Sequence, residues 1–249
     1  MLYTARVQFV ITFVVSNIAL IIAGGVGSRM GYEIPKQFIK VYDKPVLLYT
    51  LESFQKHEMV DSIVCVCIQG WEEELMRYVE FYHISKLVKI VPGGASGQES
   101  IRNGVFAINE FARPDDNIII HDGIRPMVDD YVLTDVLNVC SSKGNAVTSL
   151  PYNEQIFLID SQEPTSTTKY IPRETLRRVS TPQAYKLHKL VWAYTKAFEE
   201  KIGIYGSSYT NTMMVELGER LNFAAGSDKN IKLTTQDDLE LFKGYLNAK

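Results

Sequence analysis

Cysteine is scarce in this 249-residue chain, which holds three: Cys65, Cys67 and Cys140. So sparse and odd a set makes no disulfide framework, and a bare Cys-x-Cys lacks zinc-ligand spacing. We read reduced core thiols in a cytoplasmic protein. Charge of one sign is not in excess either. Lys plus Arg number 26 against 29 Asp plus Glu, a formal net charge of −3. That balance argues against broad coating of a nucleic acid and leaves room for a local basic pocket. Internal repeats and low-complexity linkers are missing, so nothing in the composition splits the chain into separate units. At 46% hydrophobic and 22% charged residues, it is not a disordered or fibrous sequence. A long unbroken apolar run is absent too. Residues 7–23 come nearest, but Gln8, Thr12, Ser16 and Asn17 interrupt them, and a membrane span wants about 20 apolar residues with few polar ones. No small-residue cleavage pattern follows. The expectation is an extension over residues 1–17 and a cytoplasmic domain over 18–249, with neither membrane nor nucleic acid as partner.

What is present alternates regularly. Short apolar runs at 18–23 (IALIIA), 62–68 (SIVCVCI), 87–91, 117–121 (NIIIH) and 146–150 read as strands buried on both faces. Between them, 45–57, 71–82, 98–111 and 129–142 read as helices. This alternation predicts a single-domain α/β fold around a doubly wound, mixed but mostly parallel sheet. After Pro151 the pattern changes. Residues 155–160 and 169–171 read as a hairpin that leaves the main sheet. A helix over 186–200 and a strand over 221–225 follow. Thr235 then opens a last helix, with Asp238 at capping-box spacing.

In open α/β sheets ligands bind beyond the carboxyl ends of the strands, and three such ends carry unusual residues. The first is Ala23-Gly24-Gly25-Val26-Gly27-Ser28-Arg29-Met30-Gly31, followed by Pro35-Lys36-Gln37. Glycines let backbone N–H groups turn to an anion, and Arg29 and Lys36 add positive charge; a nucleoside triphosphate calls for both. The second is His121-Asp122-Gly123-Ile124-Arg125-Pro126. There Asp122 can hold Mg²⁺ or a polyol hydroxyl, and Arg125 can reach a phosphate. His121 reads as an oriented structural histidine rather than a base. The third is Asn230-Ile231-Lys232-Leu233-Thr234-Thr235, with Lys232 just ahead of a helix N-terminus. A Walker A loop is excluded, because no Gly-Lys-Ser/Thr is present. A dinucleotide fingerprint is disfavoured: Gly25-x-Gly27-x-x-x-Gly31 has the wrong spacing, Pro35 interrupts the helix, and the second strand ends in Gln69-Gly70 without an acid.

Taken together and in order, the glycine loop with Arg29, Pro35-Lys36-Gln37, Gly93-Gly94 with Ser100, His121-Asp122-x-x-Arg125-Pro126, Thr181-Pro182-Gln183 and Asn230-Ile231-Lys232-x-Thr234 resemble one family. It comprises the 2-C-methyl-D-erythritol 4-phosphate and ribitol-5-phosphate cytidylyltransferases, which are glycosyltransferase-A-like nucleotidyltransferases. The resemblance runs from about residue 18 to the C-terminus. It implies transfer of CMP from CTP to a polyol phosphate, with release of pyrophosphate and with Mg²⁺ or another divalent cation as cofactor. By carry-over, Arg29, Lys36 and Lys232 act on the reacting phosphates. Ala23, Gly24, Gly25, Gly27, Gly94, Ser100 and Asp122 hold CTP. Asp122, Arg125, Arg173, Thr181 and Thr210 hold the acceptor, and Asp122 is the possible Mg²⁺ ligand. The resemblance also implies a homodimer. The excursion at about 152–182 would be its arm, carrying Arg173 to the neighbouring acceptor site. Departures from the erythritol-phosphate pattern fall at Gly97, Glu154-Gln155 and Asn211, on the acceptor side, while Ser96-Gly97-Gln98 and His121-Asp122-Gly123 resemble the ribitol-phosphate type. Ribitol 5-phosphate is the favoured acceptor, with methylerythritol phosphate as the alternative and other polyol phosphates open. A non-catalytic nucleotide-binding module on the same fold is the alternative from another class.

Overall fold

Apolar runs with no polar alternation end up in the middle of the sheet, where both faces are covered. The computed structural model describes residues 14–25, 34–205 and 209–248. β1 (Asn17–Ala23) is followed by a short 3-10 turn (Lys36–Phe38), the small hairpin β2 (Lys40–Val41) and β3 (Lys44–Pro45), and α1 (Val46–Lys56). Next come β4 (Ser62–Cys67), α2 (Glu72–Phe81), β5 (Leu87–Pro92), α3 (Gly97–Asn109), β6 (Asn117–Asp122), α4 (Asp130–Lys143) and β7 (Asn145–Pro151). A second hairpin, β8 (Ile156–Leu158) and β9 (Lys169–Ile171), forms its own two-stranded sheet. β10 (Arg177–Lys186), α5 (Leu187–Glu200), α6 (Thr210–Glu216), β11 (Phe223–Ala225) and α7 (Gln236–Asn247) complete the order. The central sheet has seven strands, arranged β11-β7-β10-β6-β1-β4-β5. β1 runs parallel to β4 and β6, β4 to β5, and β11 to β7. β10 alone runs antiparallel, to both β6 and β7.

The two faces of the sheet bury alternate residues of the same runs. Ala19, Ile21 and Ala23 of β1 join Cys65, Cys67 and Ile119 on one side, against Leu47, Leu51 and Phe54 of α1. Ile18 and Leu20 join Val64, Val66, Ile118 and Ile120 on the other, against Val105 and Ile108 of α3. A strand that serves two cores has no polar face to show, hence its unbroken apolar sequence. All three cysteines are free and buried. Burial pushes Cys67 and Cys140 up to about 12, which keeps them protonated and inert. A third cluster packs Leu239 and Phe242 of α7 on Ile39, Val46, Ile124 and Leu233. It clamps the segments carrying Lys36, Asp122 and Lys232 to one end of the sheet. The α7 cap is reciprocal: the Thr235 hydroxyl accepts from Asp238 N (3.2 Å), and the Asp238 carboxylate accepts from Thr235 N (2.8 Å).

Within the span 152–182 expected for the arm, Arg177 to Ser180 pair with β7 at the end of the central sheet, ahead of a register shift before Gln183. The hairpin outside the central sheet lies within residues 152–176. No long strand was expected at 177–186, nor a helix at 210–216.

Candidate active site

A cleft of about 370 Å³ opens where β1 and β6 end, bounded by the start of α3, the middle of β10 and the segment before α7. Of the expected site residues, Ala23, Gly24, Gly25, Lys36, Gly94, Ser100, Asp122, Thr181, Thr210 and Lys232 all line it. Gly27 and Arg29 lie outside the described residues.

One wall is backbone packed on backbone. A Cβ on Gly24 would stand 3.1 Å from Gly93 Cα and 3.1 Å from Ser100 Oγ. A Cβ on Gly94 would come within 2.4 Å of Glu99 Cβ. At Gly94 an added Cβ would force Glu99 aside, and at Gly24 its neighbours would have to yield by a few tenths of an ångström. The turn into α3 is laced by side chains. Ser96 caps the helix by accepting from Glu99 N (3.1 Å), and the Glu99 carboxylate accepts from Ala95 N (2.7 Å). Ser100 Oγ accepts from Gly94 N (3.0 Å) and donates to Ser96 O (2.9 Å). Its hydroxyl proton is thus engaged, and a lone pair is what it has left to offer a ligand.

The opposite wall is a network centred on Asp122. Arg125 Nε donates to its Oδ2 (2.9 Å), and Lys232 Nζ lies 3.2 Å from its Oδ1. Thr181 Oγ1 accepts from Asp122 N (3.1 Å) and donates to Oδ2 (3.3 Å). Arg125 Nη1 donates to Asn230 O (2.7 Å), and Asn230 Nδ2 donates to Thr181 O (2.7 Å). Burial alone would raise the Asp122 carboxyl; the charges of Lys232 and Arg125 overcome it and hold the group at about 2. Asp122 is therefore an anion at working pH and no proton donor. Arg125 lies behind Asp122 and is absent from the cleft wall, where the sequence reading had put it; its guanidinium braces the carboxylate and the Asn230 carbonyl. His121 is fully buried beside Phe54, with ring centroids 5.1 Å apart. Its Nε2 faces the Arg125 carbonyl at 3.0 Å and so carries the proton. Burial lowers its pKa to about 4, so it is neutral at pH 7.

Three residues of the cleft have no role in the sequence reading. Gln98 donates to Gly203 O (2.8 Å) and accepts from the Tyr194 hydroxyl (3.0 Å), which leaves that hydroxyl to accept from Thr210 Oγ1 (2.8 Å). Tyr209 lies with its ring 5.8 Å from Lys232 Nζ. Gln37 lies under the glycine loop. Arg173 is exposed in a 3-10 turn after the hairpin and donates to Asn153 O at 3.3 Å; it is not part of this chain's own cleft.

The donor set allows a modest role for a divalent cation. Among the described residues no three His, Cys, Asp or Glu gather as a metal site, and Asp122 is the one carboxylate lining the cleft. That suits Mg²⁺, which is commonly held by one or two carboxylates together with substrate phosphates. Among the described residues no helix is long and apolar enough to cross a membrane.

The family pattern described as IspD, 2-C-methyl-D-erythritol 4-phosphate cytidylyltransferase, matches residues 17–248. A ribitol-5-phosphate cytidylyltransferase of Lacticaseibacillus paracasei is 55% identical over 231 residues, covering 93% of this chain and 98% of the relative. A 2-C-methyl-D-erythritol 4-phosphate cytidylyltransferase of Clostridioides difficile is 33% identical, covering 92% of both chains. Among solved structures, 4-diphosphocytidyl-2C-methyl-D-erythritol synthase from Anaerococcus prevotii superposes with a TM-score of 0.78 over 94% of this chain and 99% of its own, at 21% identity. It shares the fold.

Proposed function

The chain belongs to the IspD family of cytidylyltransferases, and we propose that it joins CMP from CTP to ribitol 5-phosphate, giving CDP-ribitol and pyrophosphate. An oxygen of the acceptor phosphate attacks the α-phosphorus of CTP. That P–O bond forms as the bond to the β-phosphate oxygen breaks, and pyrophosphate leaves with the electron pair. A phosphate monoester is a dianion above its second pKa of about 6, so no strong protein base is required. Catalysis is positioning and charge neutralisation. Lys36 and Lys232 both line the cleft and supply cations to the triphosphate, with Arg29 assigned the same part from the sequence. The glycine loop and the start of α3 hold the nucleotide. Asp122, Thr181 and Thr210 face the acceptor. Asp122 would help hold a divalent cation, which would supply further charge neutralisation to the phosphates.

The observation that carries the ribitol reading is the contrast in identity, 55% to the ribitol-phosphate enzyme against 33% to the methylerythritol one. Gly97 and Gln98, part of the run that resembles the ribitol-phosphate type, line the cleft. The homodimer reading is supported by the hairpin, which exposes Phe157, Leu158, Ile159 and Tyr170 away from the core. Its arm would carry Arg173 to the partner's acceptor site. With CTP as substrate and thiols kept reduced, we place the protein in the cytoplasm. The test is pyrophosphate release from CTP and Mg²⁺ with each acceptor alone, the product identified by mass. Turnover with ribitol 5-phosphate is expected. Turnover with 2-C-methyl-D-erythritol 4-phosphate alone would move the protein to the second activity of its family, and a single species of one-chain mass in sedimentation would remove the dimer.

A further inference from the structure

Gln37 belongs to the Pro35-Lys36-Gln37 run, yet the reaction above gives it no part. Its side chain is 1% exposed. Its amide nitrogen lies 2.6 Å from the Ala23 carbonyl oxygen and 3.1 Å from that of Gly25. Carbonyls only accept, so the atom facing them is the NH₂ group, with both hydrogens engaged. Ala23 and Gly25 flank Gly24, the residue wedged against Gly93. In a trans peptide C=O and N–H point opposite ways. The Ala23 carbonyl also accepts from Ile68 N (3.2 Å), so the sheet and the Gln37 fork together fix it, and the N–H of Gly24 turns to the other side, while the Gly25 carbonyl is held by Gln37.

The same turn carries Lys36. In a 3-10 turn successive side chains diverge by about 120°, so Lys36 and Gln37 leave the backbone in different directions. Phe38 anchors the turn: it is buried and stacks on Trp71 with ring centroids 4.6 Å apart. The turn closes through Phe38 N to Pro35 O (2.8 Å). One rigid turn therefore offers a cation to the cleft and two donors to the glycine loop.

We propose that Gln37 is a positioning residue that latches residues 23–25 to the turn bearing Lys36, so that the Gly24 amide and the lysine keep one fixed spacing around the triphosphate. This rests on the nucleotidyl-transfer reading. Displacing binding groups by about 1 Å is enough to lose about 10²-fold in rate.

Two substitutions test it. Gln37→Met keeps the length and removes both donors. It should lower kcat/KM for CTP by about 10- to 100-fold, with the acceptor KM and the thermal transition little changed. Gln37→Glu separates a donor role from a space-filling one. A carboxyl facing two carbonyl oxygens in a buried niche has a raised pKa. Ionised, it donates nothing and repels both oxygens; protonated, it donates one hydrogen. Relative to wild type at each pH, the activity of Gln37→Glu should rise as pH falls from about 8 to about 6, while that of Gln37→Met stays flat. Gln37→Met turning over like wild type, or a Gln37→Glu ratio that ignores pH, would overturn the latch. Calorimetry of CTP with Mg²⁺ reads the loop without any acceptor. Weaker CTP binding by Gln37→Met would support the latch even if the acceptor were a different polyol phosphate. A wild-type protein that binds no CTP would end both the latch and the reading beneath it.

Discussion

Where Gly24 meets Gly93, a Cβ on either would approach the other's Cα to 3.1 Å; across the cleft, Asp122, Arg125, Thr181 and Lys232 meet through side chains 2.9–3.3 Å apart. On the proposed reading, the nucleotide wall is backbone fitted to backbone, and the acceptor wall is a charged network. A backbone wall leaves little room for an added atom, and glycines mark it in the sequence. A side-chain network can be rebuilt one residue at a time without moving the sheet. This is the physical sense in which one family can keep its nucleotide and change its acceptor.

The largest effect is expected at Lys36, a cation lining the cleft. Lys36→Ala should lower kcat by about 10²–10³-fold, the scale for one preorganised electrostatic group, with both KM values nearly intact. A loss confined to KM would show that Lys36 binds substrate without favouring the transition state. The next effect is on stability and belongs to the acceptor wall. His121 has a folded pKa of about 4 against an ordinary 6.5, so the unfolded chain takes the proton first. Stability should be full above about pH 6.5 and fall as pH drops towards 4, by on the order of 3 kcal/mol. Asp122, held at about 2, adds its loss only below about pH 4, so the two windows separate. Denaturant titrations at pH 7.5 and 5 check this, and His121→Gln should flatten the difference. On the nucleotide wall, Gly94→Ala forces a Cβ to 2.4 Å from Glu99 Cβ and should raise the KM for CTP about tenfold through overpacking, leaving the acceptor KM alone. The smallest effect is on the other side. Thr181→Val removes the hydroxyl that meets Asp122 and should raise the acceptor KM by about three- to tenfold with that for CTP unchanged. If Gly94→Ala struck the acceptor KM, or Thr181→Val the CTP KM, the division into two walls would fail.

The sequence shows the nucleotide wall better than the acceptor wall, and the reason lies in range. β1, β4 and β6 announce themselves as apolar runs, and the α7 cap is written in two residues three apart. β10 carries Arg177, Arg178, Ser180, Thr181 and a proline, which argue against a central strand; pairing with β6 and β7 overrides that local preference. α6 spans seven residues, too few for a helical period to show. Arg125 reads as a phosphate ligand from its motif, while it braces Asp122 three residues back and the carbonyl of Asn230, 105 residues away. The chain from Gln98 through Tyr194 to Thr210 spans 96 and then 16 residues. No spacing rule reaches such contacts.

The account stands or falls on the acceptor wall choosing the polyol. The protein, CTP and Mg²⁺ should be given equal amounts of ribitol 5-phosphate and 2-C-methyl-D-erythritol 4-phosphate together, and the two cytidine diphosphate products counted by mass. CDP-ribitol should exceed the methylerythritol product by about 10²-fold or more, the scale at which a site built around a substrate's hydroxyls rejects a mismatched one. A mixture dominated by the methylerythritol product would contradict it.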